Sequence, residues 1–530
     1  MKLYVGIDLG TTNTVAAVLE FLKDEELLPR VVDIGQFTED YEYIYEKLLP
    51  SCLYIDKSGN KYLGKIAKAM KIREPDRVIY NSKNYIGIPE YFWEIDEQKF
   101  SPEDVAALIL KEVKMNLERK MGKEITSAVI TVPASFNHDQ IQATKNAAKM
   151  AGFDDRETYF ISEPTAALLD FINTERKLPQ SKRRLDFSRL RKMLVFDLGG
   201  GTCDVSVLNV QINDKDFIME EIAISSHTLV GGVNFDLMGS IYLLEKYAKE
   251  MSETFENLFE DENEKRRVYN RMVYEMEKAR IFFSTKKEEE AIYESILEDF
   301  INGKPYRFKI SKKEYEECIK PLITKDGNLR DNVIDPILDT LNKANLTVYD
   351  IDDVFLAGGM GTYQPIQQAI EKLFMKKSLI SLHPIYSVAR GAAIYHYLNE
   401  KLGKSNDNLK IDPVVASNIY IDIKNGLPFL IVSQGTRAPF EKVYDGILKV
   451  SNATGMRLDI FSGKSLWDPK MKRLKSVQLS FLNVIKPGTP ISLKVNFDRN
   501  RILTLSAWVS GCMEQKLQVV IGEGSEGHGY

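Results

Sequence analysis

Two short apolar stretches lie near the start of the chain, and in the first of them apolar residues alternate with other residues. Val5, Ile7 and Leu9 form the first stretch, residues 15–19 form the second, and the polar segment 10–13 lies between them. A period of two is typical of strands with one buried face. The pattern therefore predicts two strands joined as a hairpin with a polar tip.

Helical spacing begins near position 101. The sequence Ser-Pro-Glu-Asp there supplies an N-cap, a proline in the first helical position and an acid three residues after the cap, and the apolar spacing continues to Gly122. A strand is predicted over 127–132, and a second helix between 137 and 152. Alternating helices and strands of this kind predict an α/β domain.

An imperfect internal repeat is the most informative pattern. The sequence DLGTT at 8–12 returns as DLGGGT at 197–202, and each copy follows an apolar strand and precedes another. Two similar units that face one cleft would explain the repeat.

The last part of the chain has a different pattern. The polar run 403–408 predicts a linker, which extends to residue 413. Residues 414–521 contain short apolar strands with turn sequences and no long helix, which predicts a β-sandwich-like domain. The predicted organisation is a first domain over 1–402, the linker over 403–413, the sandwich over 414–521 and a flexible tail over 522–530. The basic segment 174–192 is interpreted as a solvated loop.

The net charge and the cysteine spacing argue against several classes of partner and compartment. The net charge is -5, from 71 basic and 76 acidic residues, so the surface as a whole is not suited to nucleic acid or anionic lipid. The four cysteines show no paired spacing, which favours a reducing compartment. No stretch approaches the roughly 20 apolar residues of a membrane span. We expect a cytoplasmic protein with neither nucleic-acid nor membrane partners.

The two glycine turns are suited to phosphate. Glycine has no Cβ, so backbone N–H groups can approach phosphate oxygens closely. Asp8 and Asp197 lie where each strand meets its turn and are candidates to hold Mg²⁺ through water. A single Asp-Leu-Gly is more often an ordinary turn, but two copies at matched positions favour a site.

Six segments carry a family resemblance: GIDLGTTNTVAAV, VITVPASFN, ISEPTAALL, VFDLGGGTCDVSVL, LVGGVNFD and LAGGMG. In order and spacing they resemble the nucleotide-binding domain of the seventy-kilodalton heat-shock chaperones, and the resemblance covers nearly the whole chain. It implies an actin-like α/β ATPase domain with two duplicated ribonuclease H-like lobes, followed by a β-sandwich. It also implies an ATP-dependent chaperone that uses ATP/ADP, Mg²⁺ and K⁺ and binds unfolded polypeptide segments, with a J-domain co-chaperone and a nucleotide exchange factor as further partners.

The resemblance also implies roles for particular residues. The catalytic group is Lys83, Glu163, Asp197 and Thr202. The nucleotide-binding group is Gly10, Thr11, Thr12, Asn13, Gly199, Gly200, Gly201, Gly231, Gly232, Glu277, Arg280, Ser284, Gly358 and Gly359. The metal-binding group is Asp8 and Asp197 for Mg²⁺ and Asp204 for a monovalent cation.

The chain departs from the family pattern at several positions. Tyr159 and Ile141 stand where the family has arginines that couple hydrolysis to its partners, Ile281 replaces a basic residue near the base, and Lys424 lies where an apolar arch covers the peptide. No helical lid is expected after Ile521. Two alternatives stay open: an ATP-binding switch or adaptor for one specific partner, and a small-molecule kinase, for which no general-base motif is found.

Overall fold

The computed structural model describes residues 3–21, 27–213, 217–226, 228–259, 261–324, 332–401, 409–424, 427–450, 455–463, 465, 471–480, 484–510 and 512–520. The predicted linker residues 403–408, the turn at 425–426 and the tail 522–530 lie outside the described residues. The rest forms two α/β units, each built on a six-stranded sheet, and a region of two four-stranded sheets.

The first unit begins with the predicted hairpin. Its strands are β1 (Tyr4–Leu9), β2 (Asn13–Phe21), β3 (Leu27–Val32), β4 (Ile34–Phe37), β5 (Tyr43–Glu46), β6 (Leu49–Pro50), β7 (Leu53–Ile55), β8 (Lys61–Leu63), β9 (Val78–Ile79), β10 (Trp93–Ile95), β11 (Gln98–Phe100), β12 (Ala128–Val132) and β13 (Thr158–Ser162). Its helices are α1 (Lys65–Arg73), α2 (Pro102–Met121), α3 (His138–Met150) and α4 (Glu163–Lys177). The main sheet has the order β13-β12-β1-β2-β3, with β6 beside β2.

Local sequence fixes the ends of two of these helices. Ser101 and Asp104 form a reciprocal capping box at the start of α2, and Gly122 ends that helix in the left-handed conformation with φ 67°. Asn137 and Gln140 form the same box at the start of α3. The predicted helices and the strand between them are confirmed.

The second unit repeats the first in topology. Its strands are β14 (Arg191–Leu198), β15 (Cys203–Ile212), β16 (Phe217–Ile224), β17 (Ile292–Ile301), β18 (Lys304–Ser311), β19 (Asp353–Ala357) and β20 (Leu379–Ile380). Its helices are α5 (Gly232–Glu250), α6 (Glu262–Ser284), α7 (Lys312–Ile323), α8 (Asp335–Lys343), α9 (Gly358–Gly361), α10 (Gln364–Phe374) and α11 (Ser387–Lys401).

The two main sheets share one strand pattern. In the order β13-β12-β1-β2-β3 the first two pairs are parallel and the last two antiparallel, and β20-β19-β14-β15-β16 shows the same sequence of pairings. Helices α4 and α11 pack in one apolar core with residues from both sheets. The repeated motif thus sits at the same place in two equivalent sheets.

Part of the predicted linker is a strand. Residues Leu409–Asp412 form β21, which extends the second sheet by pairing parallel to β16. Ile411 is buried in the core that holds α4 and α11. Within the predicted linker 403–413, these four residues are therefore ordered as a strand of the second sheet.

The last region consists of two facing sheets. Its strands are β22 (Asn418–Lys424), β23 (Leu427–Val432), β24 (Phe440–Lys449), β25 (Gly455–Gly463), β26 (Lys472–Ser480), β27 (Pro490–Phe497), β28 (Leu503–Val509) and β29 (Cys512–Val520). The sheet orders are β23-β22-β25-β26 and β24-β27-β28-β29, and their apolar residues share one core. No helix occurs among the described residues after 401.

The basic segment 174–192 is partly anchored. Arg184 Nε donates to Oε1 of the buried Glu175 at 2.8 Å, and the Arg184 guanidinium lies over the Phe171 ring. Arg184 therefore anchors the segment to a buried carboxylate, which needs a partner, while its own side chain stays 39% exposed. Across the described part of the chain, no helix is long and apolar enough to cross a membrane.

Candidate functional site

A cavity of about 950 Å³ opens between the two α/β units. Most of the predicted site residues line it, namely Asp8, Gly10, Thr11, Thr12, Asn13, Lys83, Glu163, Asp197, Gly199, Gly200, Gly201, Thr202, Glu277, Arg280, Ser284, Gly358 and Gly359. Asp204, Gly231 and Gly232 do not line it. Residues from both copies of the repeat therefore face one space.

The two glycine turns touch each other. A Cβ added to Gly200 would lie 1.9 Å from Thr12 Oγ1, and one added to Gly201 would lie 2.7 Å from Thr11 Cγ2. Because such distances are shorter than any real contact, only glycine permits this approach. Thr12 Oγ1 is also buried without a hydrogen-bond partner among the described residues. The two turns therefore form a cradle in which Thr12 Oγ1 is available to accept or donate a hydrogen bond to a ligand.

The glycines at 231 and 232 lie next to the second turn but do not line the large cavity. Gly231 packs behind the second turn, where an added Cβ would lie 2.5 Å from Gly201 N. Gly232 N donates to Gly199 O at 3.1 Å. Gly231 thus supports the turn from behind, whereas Gly232 lines a smaller neighbouring pocket with Arg280. Their contact with a nucleotide stays a prediction.

Lys83 and Glu163 form a buried ion pair in the cavity. Lys83 lies in the 3-10 turn Ser82–Tyr85, directly after Asn81 in the left-handed conformation, and Glu163 is the first residue of α4. Burial raises the pKa of Glu163 to about 7, against the lowering effect of Lys83. The pair places a cation and an easily protonated carboxyl together.

Asp8 and Asp197 occupy equivalent places at the ends of β1 and β14. Burial raises the pKa of both carboxyls, and at Asp197 the nearby carboxylates raise it further. Thr131 Oγ1 donates to Asp8 Oδ1 at 3.2 Å. With Glu163 these carboxylates outnumber Lys83, so the cluster is suited to a hydrated divalent cation. No three His, Cys, Asp or Glu side chains in the described ranges could ligate a metal directly.

Asp204 lies on β15, two residues after Thr202, and is buried. Its Oδ1 accepts hydrogen bonds from Ser135 Oγ at 2.7 Å and Ser135 N at 3.2 Å. Thr202 precedes the strand and lines the cavity, whereas Asp204 lies outside the lining. The structure therefore gives Asp204 a partner in the first unit and does not bring it to the cavity surface.

One face of α6 forms the rim of the cavity. Arg280 donates to both carboxylate oxygens of Asp236, at 2.7 and 3.0 Å, and Glu277 pairs with Lys68 of α1 at 2.7 Å. Ser284 Oγ donates to Ile281 O at 2.7 Å. Burial raises the pKa of Asp236 to about 6. The predicted base-binding residues share a face, and their polar groups are bonded to the protein.

Lys68 and Asp236 are site residues that sequence reasoning missed. Lys68 lies in an ordinary helical pattern, and Asp236 stands 44 residues from its partner Arg280. No sequence motif around either residue marks it as part of a site. Ile281, where the chain departs from the family pattern, does line the cavity, so that departure falls on the site itself.

Comparisons with known proteins agree with this geometry. Residues 90–527 match the family model described as Hsp70 protein. The chain is 30% identical over 521 residues to the chaperone protein DnaK of Thermosipho melanesiensis, covering 98% of this chain and 80% of that protein. It is also 30% identical over 523 residues to the chaperone protein DnaK of Thermotoga neapolitana, with the same coverages.

The chain belongs to the Hsp70 family. As an Hsp70 it is an ATP-dependent chaperone with ATPase activity. The adaptor alternative is not favoured. The cavity between two topologically equivalent sheets is where this Hsp70 has its clustered carboxylates, its buried lysine and both glycine turns.

Proposed function

We propose that the large cavity is the ATP site and that the two α/β units are the two lobes of an actin-like ATPase domain. The observation that carries this proposal is the contact of the two repeated glycine turns, with Gly200 against Thr12. Two turns that touch can hold one phosphate chain from both sides. The proposed domain covers residues 1–402, and a substrate-binding β-sandwich covers 414–521.

Four residues carry the chemistry in this proposal. Lys83 stabilises negative charge on the transferring phosphoryl group, Glu163 orders the attacking water, and Asp197 and Thr202 line the γ-phosphate. Phosphoryl transfer needs mostly positioning and electrostatic stabilisation, which a buried lysine and carboxylates supply.

Asp8 and Asp197 are the residues that would hold Mg²⁺ through water. When bound, Mg²⁺ neutralises charge on the phosphate oxygens. Asp204 stays our candidate for binding a K⁺ ion, although its Oδ1 is engaged by Ser135. The base would rest against the rim face of α6, with Glu277, Arg280 and Ser284.

Partners and location stay predictions. Unfolded or extended polypeptide segments are the proposed clients of the β-sandwich. A J-domain co-chaperone and a nucleotide exchange factor are further proposed partners, and a cytoplasmic location follows from the cysteine pattern. Nucleic acid and membrane surfaces are not among the proposed partners.

The proposal is tested by steady-state ATP turnover of the whole chain with Mg²⁺. We expect Lys83→Met to lower kcat by about 10²–10³-fold, because it removes the cation that faces the phosphoryl group. Lys65→Met is the matched control, since Lys65 lines the same cavity but is half exposed and pairs with Glu46. Equal turnover in Lys83→Met and the unmodified protein would refute the assignment.

A further inference from the structure

A small pocket of about 80 Å³ lies beside the large cavity. Thr11, Thr12 and Gly200 line both spaces, so the contact between the two glycine turns separates the pocket from the cavity. Asn81 lines the pocket as well, and Lys83 follows it two residues later. One water needs roughly 15 Å³ of such space, so the pocket has room for a larger guest such as a small anion.

The charged side chains of this pocket leave one cation without an acid. The carboxylates that line it are Asp236 and Glu277. Asp236 accepts hydrogen bonds from Arg280 Nε and Nη2, and Glu277 pairs with Lys68 at 2.7 Å. The remaining cation is Lys71, which forms no ion pair with any residue that the structure describes. The pocket therefore has an excess of positive charge at Lys71.

An aromatic ring, rather than an acid, holds Lys71 in place. Lys71 Nζ lies 3.7 Å from the centroid of the Tyr80 ring, which lines the same pocket. The ring attracts the ammonium but does not neutralise its charge. Burial lowers the pKa of Lys71, because water solvates this ammonium poorly. A buried cation in this state is stabilised by an anion that enters the pocket.

The wall between the two spaces contains a hydroxyl that is free to reorient. Thr12 Oγ1 is buried and has no hydrogen-bond partner in the described part of the chain. Its side chain can therefore turn without breaking a hydrogen bond, and the hydroxyl can donate to an anion on either side. Gly200, which faces it, has no side chain to obstruct the passage.

The position of ADP after hydrolysis gives such a passage a use. In the proposed function the γ-phosphate lies beside Lys83, and the base rests against the rim at Glu277 and Arg280. Free phosphate then lies deeper in the cavity than ADP, which stands between the phosphate and the rim. The wall at Thr12 and Gly200 is a way out that does not require ADP to leave first.

We propose that the small pocket binds inorganic phosphate and is the first site that this product occupies after it leaves the γ-position. Lys71 supplies the positive charge, and Thr12 supplies a hydrogen bond. The exit role rests on the proposed function, whereas the phosphate site rests on the pocket alone. Lys71 takes no part in hydrolysis, because it does not line the large cavity.

Three substitutions change the pocket in different ways. Lys71→Met removes the charge, and Lys71→Arg retains it. Cys52→Leu adds bulk, since Cys52 is buried and lines the pocket but not the large cavity. Circular dichroism verifies that each variant is folded, and Lys71→Met decides the question if Cys52→Leu is poorly folded.

The matched control is Arg73→Gln, which removes a cation from the same helix. Arg73 lines neither the pocket nor the large cavity. It pairs with Glu39 at 3.3 Å, and its side chain is 61% exposed. Its loss therefore leaves the charge inside the pocket unchanged.

Calorimetric titration of inorganic phosphate into the full chain with Mg²⁺ and ADP measures the site directly, with KCl added to hold the ionic strength constant. We expect Lys71→Met to weaken phosphate binding by about tenfold or more, because a hydrogen bond between charged groups is lost. Cys52→Leu should weaken it similarly by filling the pocket, and Lys71→Arg should be intermediate. Arg73→Gln should bind phosphate as the unmodified chain does.

Steady-state ATP turnover in the presence of added phosphate tests the exit role. Phosphate in the pocket should inhibit turnover by opposing the departure of the product. Lys71→Met should therefore require about tenfold more phosphate for the same inhibition. Arg73→Gln should leave both kcat and the inhibition unchanged.

Two results separate this inference from the proposed function. If the unmodified chain hydrolyses no ATP, the proposed function fails, and weaker phosphate binding in Lys71→Met would still support the phosphate site. If ATP is hydrolysed and Lys71→Met binds phosphate as tightly as the unmodified chain, the phosphate site is refuted. An absence of phosphate binding to the unmodified chain, or an equal loss in Arg73→Gln, would also refute it. Equal inhibition of turnover by phosphate in Lys71→Met and the unmodified chain would refute the exit role.

Discussion

The floor and the rim of the large cavity differ in how their charges are balanced. The floor, defined as Asp8, Lys83, Glu163 and Asp197, has more carboxylates than cations, and burial raises the pKa of each carboxyl. The rim, defined as Lys68, Asp236, Glu277 and Arg280, pairs every acid with a base. Charged side chains that pair with one another stabilise the fold, whereas a buried group with an excess of carboxylates indicates a functional site.

The largest expected effect comes from closing the gap between the two glycine turns. Gly200→Ala places a Cβ 1.9 Å from Thr12 Oγ1, so one of the two glycine turns must shift, at a cost of about 1–3 kcal/mol. We expect ATP affinity, measured by calorimetry, to fall by about 5- to 160-fold at that cost.

Gly199→Ala provides the control in the same turn. Its added Cβ has no protein atom nearer than 3.9 Å, so the free protein should keep its melting temperature. Equal melting temperatures and equal affinities for both variants and the unmodified chain would show that the two turns do not form a tight cradle.

The floor and the rim should differ in the pH at which they lose function, as seen in kcat for the floor and in nucleotide affinity for the rim. The pKa of Glu163 is about 7 and that of Asp236 about 6. As the pH falls, Glu163 takes up a proton first, so we expect kcat to decline below pH 7 by up to about tenfold per pH unit. Nucleotide affinity, which depends on the rim, should hold until about pH 6. Coincident declines in kcat and affinity would contradict this order.

Folding stability should rise as the pH falls over the same range, whereas kcat should decline. Both carboxyls have folded-state pKa values above their ordinary values of 4.5 and 3.8, so the folded protein binds more protons than the unfolded chain. Their contribution to stability is therefore complete below those ordinary values and is lost as the pH rises through about 6 and 7. In Mg²⁺-free buffer we expect the melting temperature of the unmodified chain to rise between pH 8 and 5, and to rise less in Glu163→Gln.

The smallest expected effect is at the rim. Lys68 and Glu277 join α1 to α6 across the cavity, with side chains 29% and 22% exposed. A pair of this exposure contributes at most about 1 kcal/mol. We expect Lys68→Met to speed nucleotide release by no more than about fivefold, measured with a fluorescent ADP analogue, and to leave kcat for bound ATP unchanged.

A large loss of kcat in Lys68→Met would contradict the division between floor and rim. Arg266→Gln serves as the control on the same helix, because Arg266 contacts the exposed Asp76 outside the cavity lining.

Much of the fold could be predicted from local signals. The capping sequences at Ser101 and Asn137 start helices where expected, and the repeat at Asp8 and Asp197 marks equivalent strand ends. The strand β21 was missed because four residues with alternating apolar positions are too short for a pattern to identify.

The site was predictable only in part. Lys83 and Glu163 were found through the family resemblance, since a single lysine or a single acid in a turn has no distinctive spacing. The pairing of Arg501 with Glu221 could not be predicted, because 280 residues separate them in sequence. Local patterns predict turns and caps, whereas long-range charge pairs depend on how the units pack.

A crystal structure of the full chain with Mg²⁺ and a non-hydrolysable ATP analogue would show whether both glycine turns hold one triphosphate. We expect the phosphates to lie between Thr12 and Gly200, with the γ-phosphate facing Lys83 and the metal between Asp8 and Asp197. A nucleotide bound elsewhere, or contacting one turn while the other stays remote from its phosphates, would contradict this arrangement.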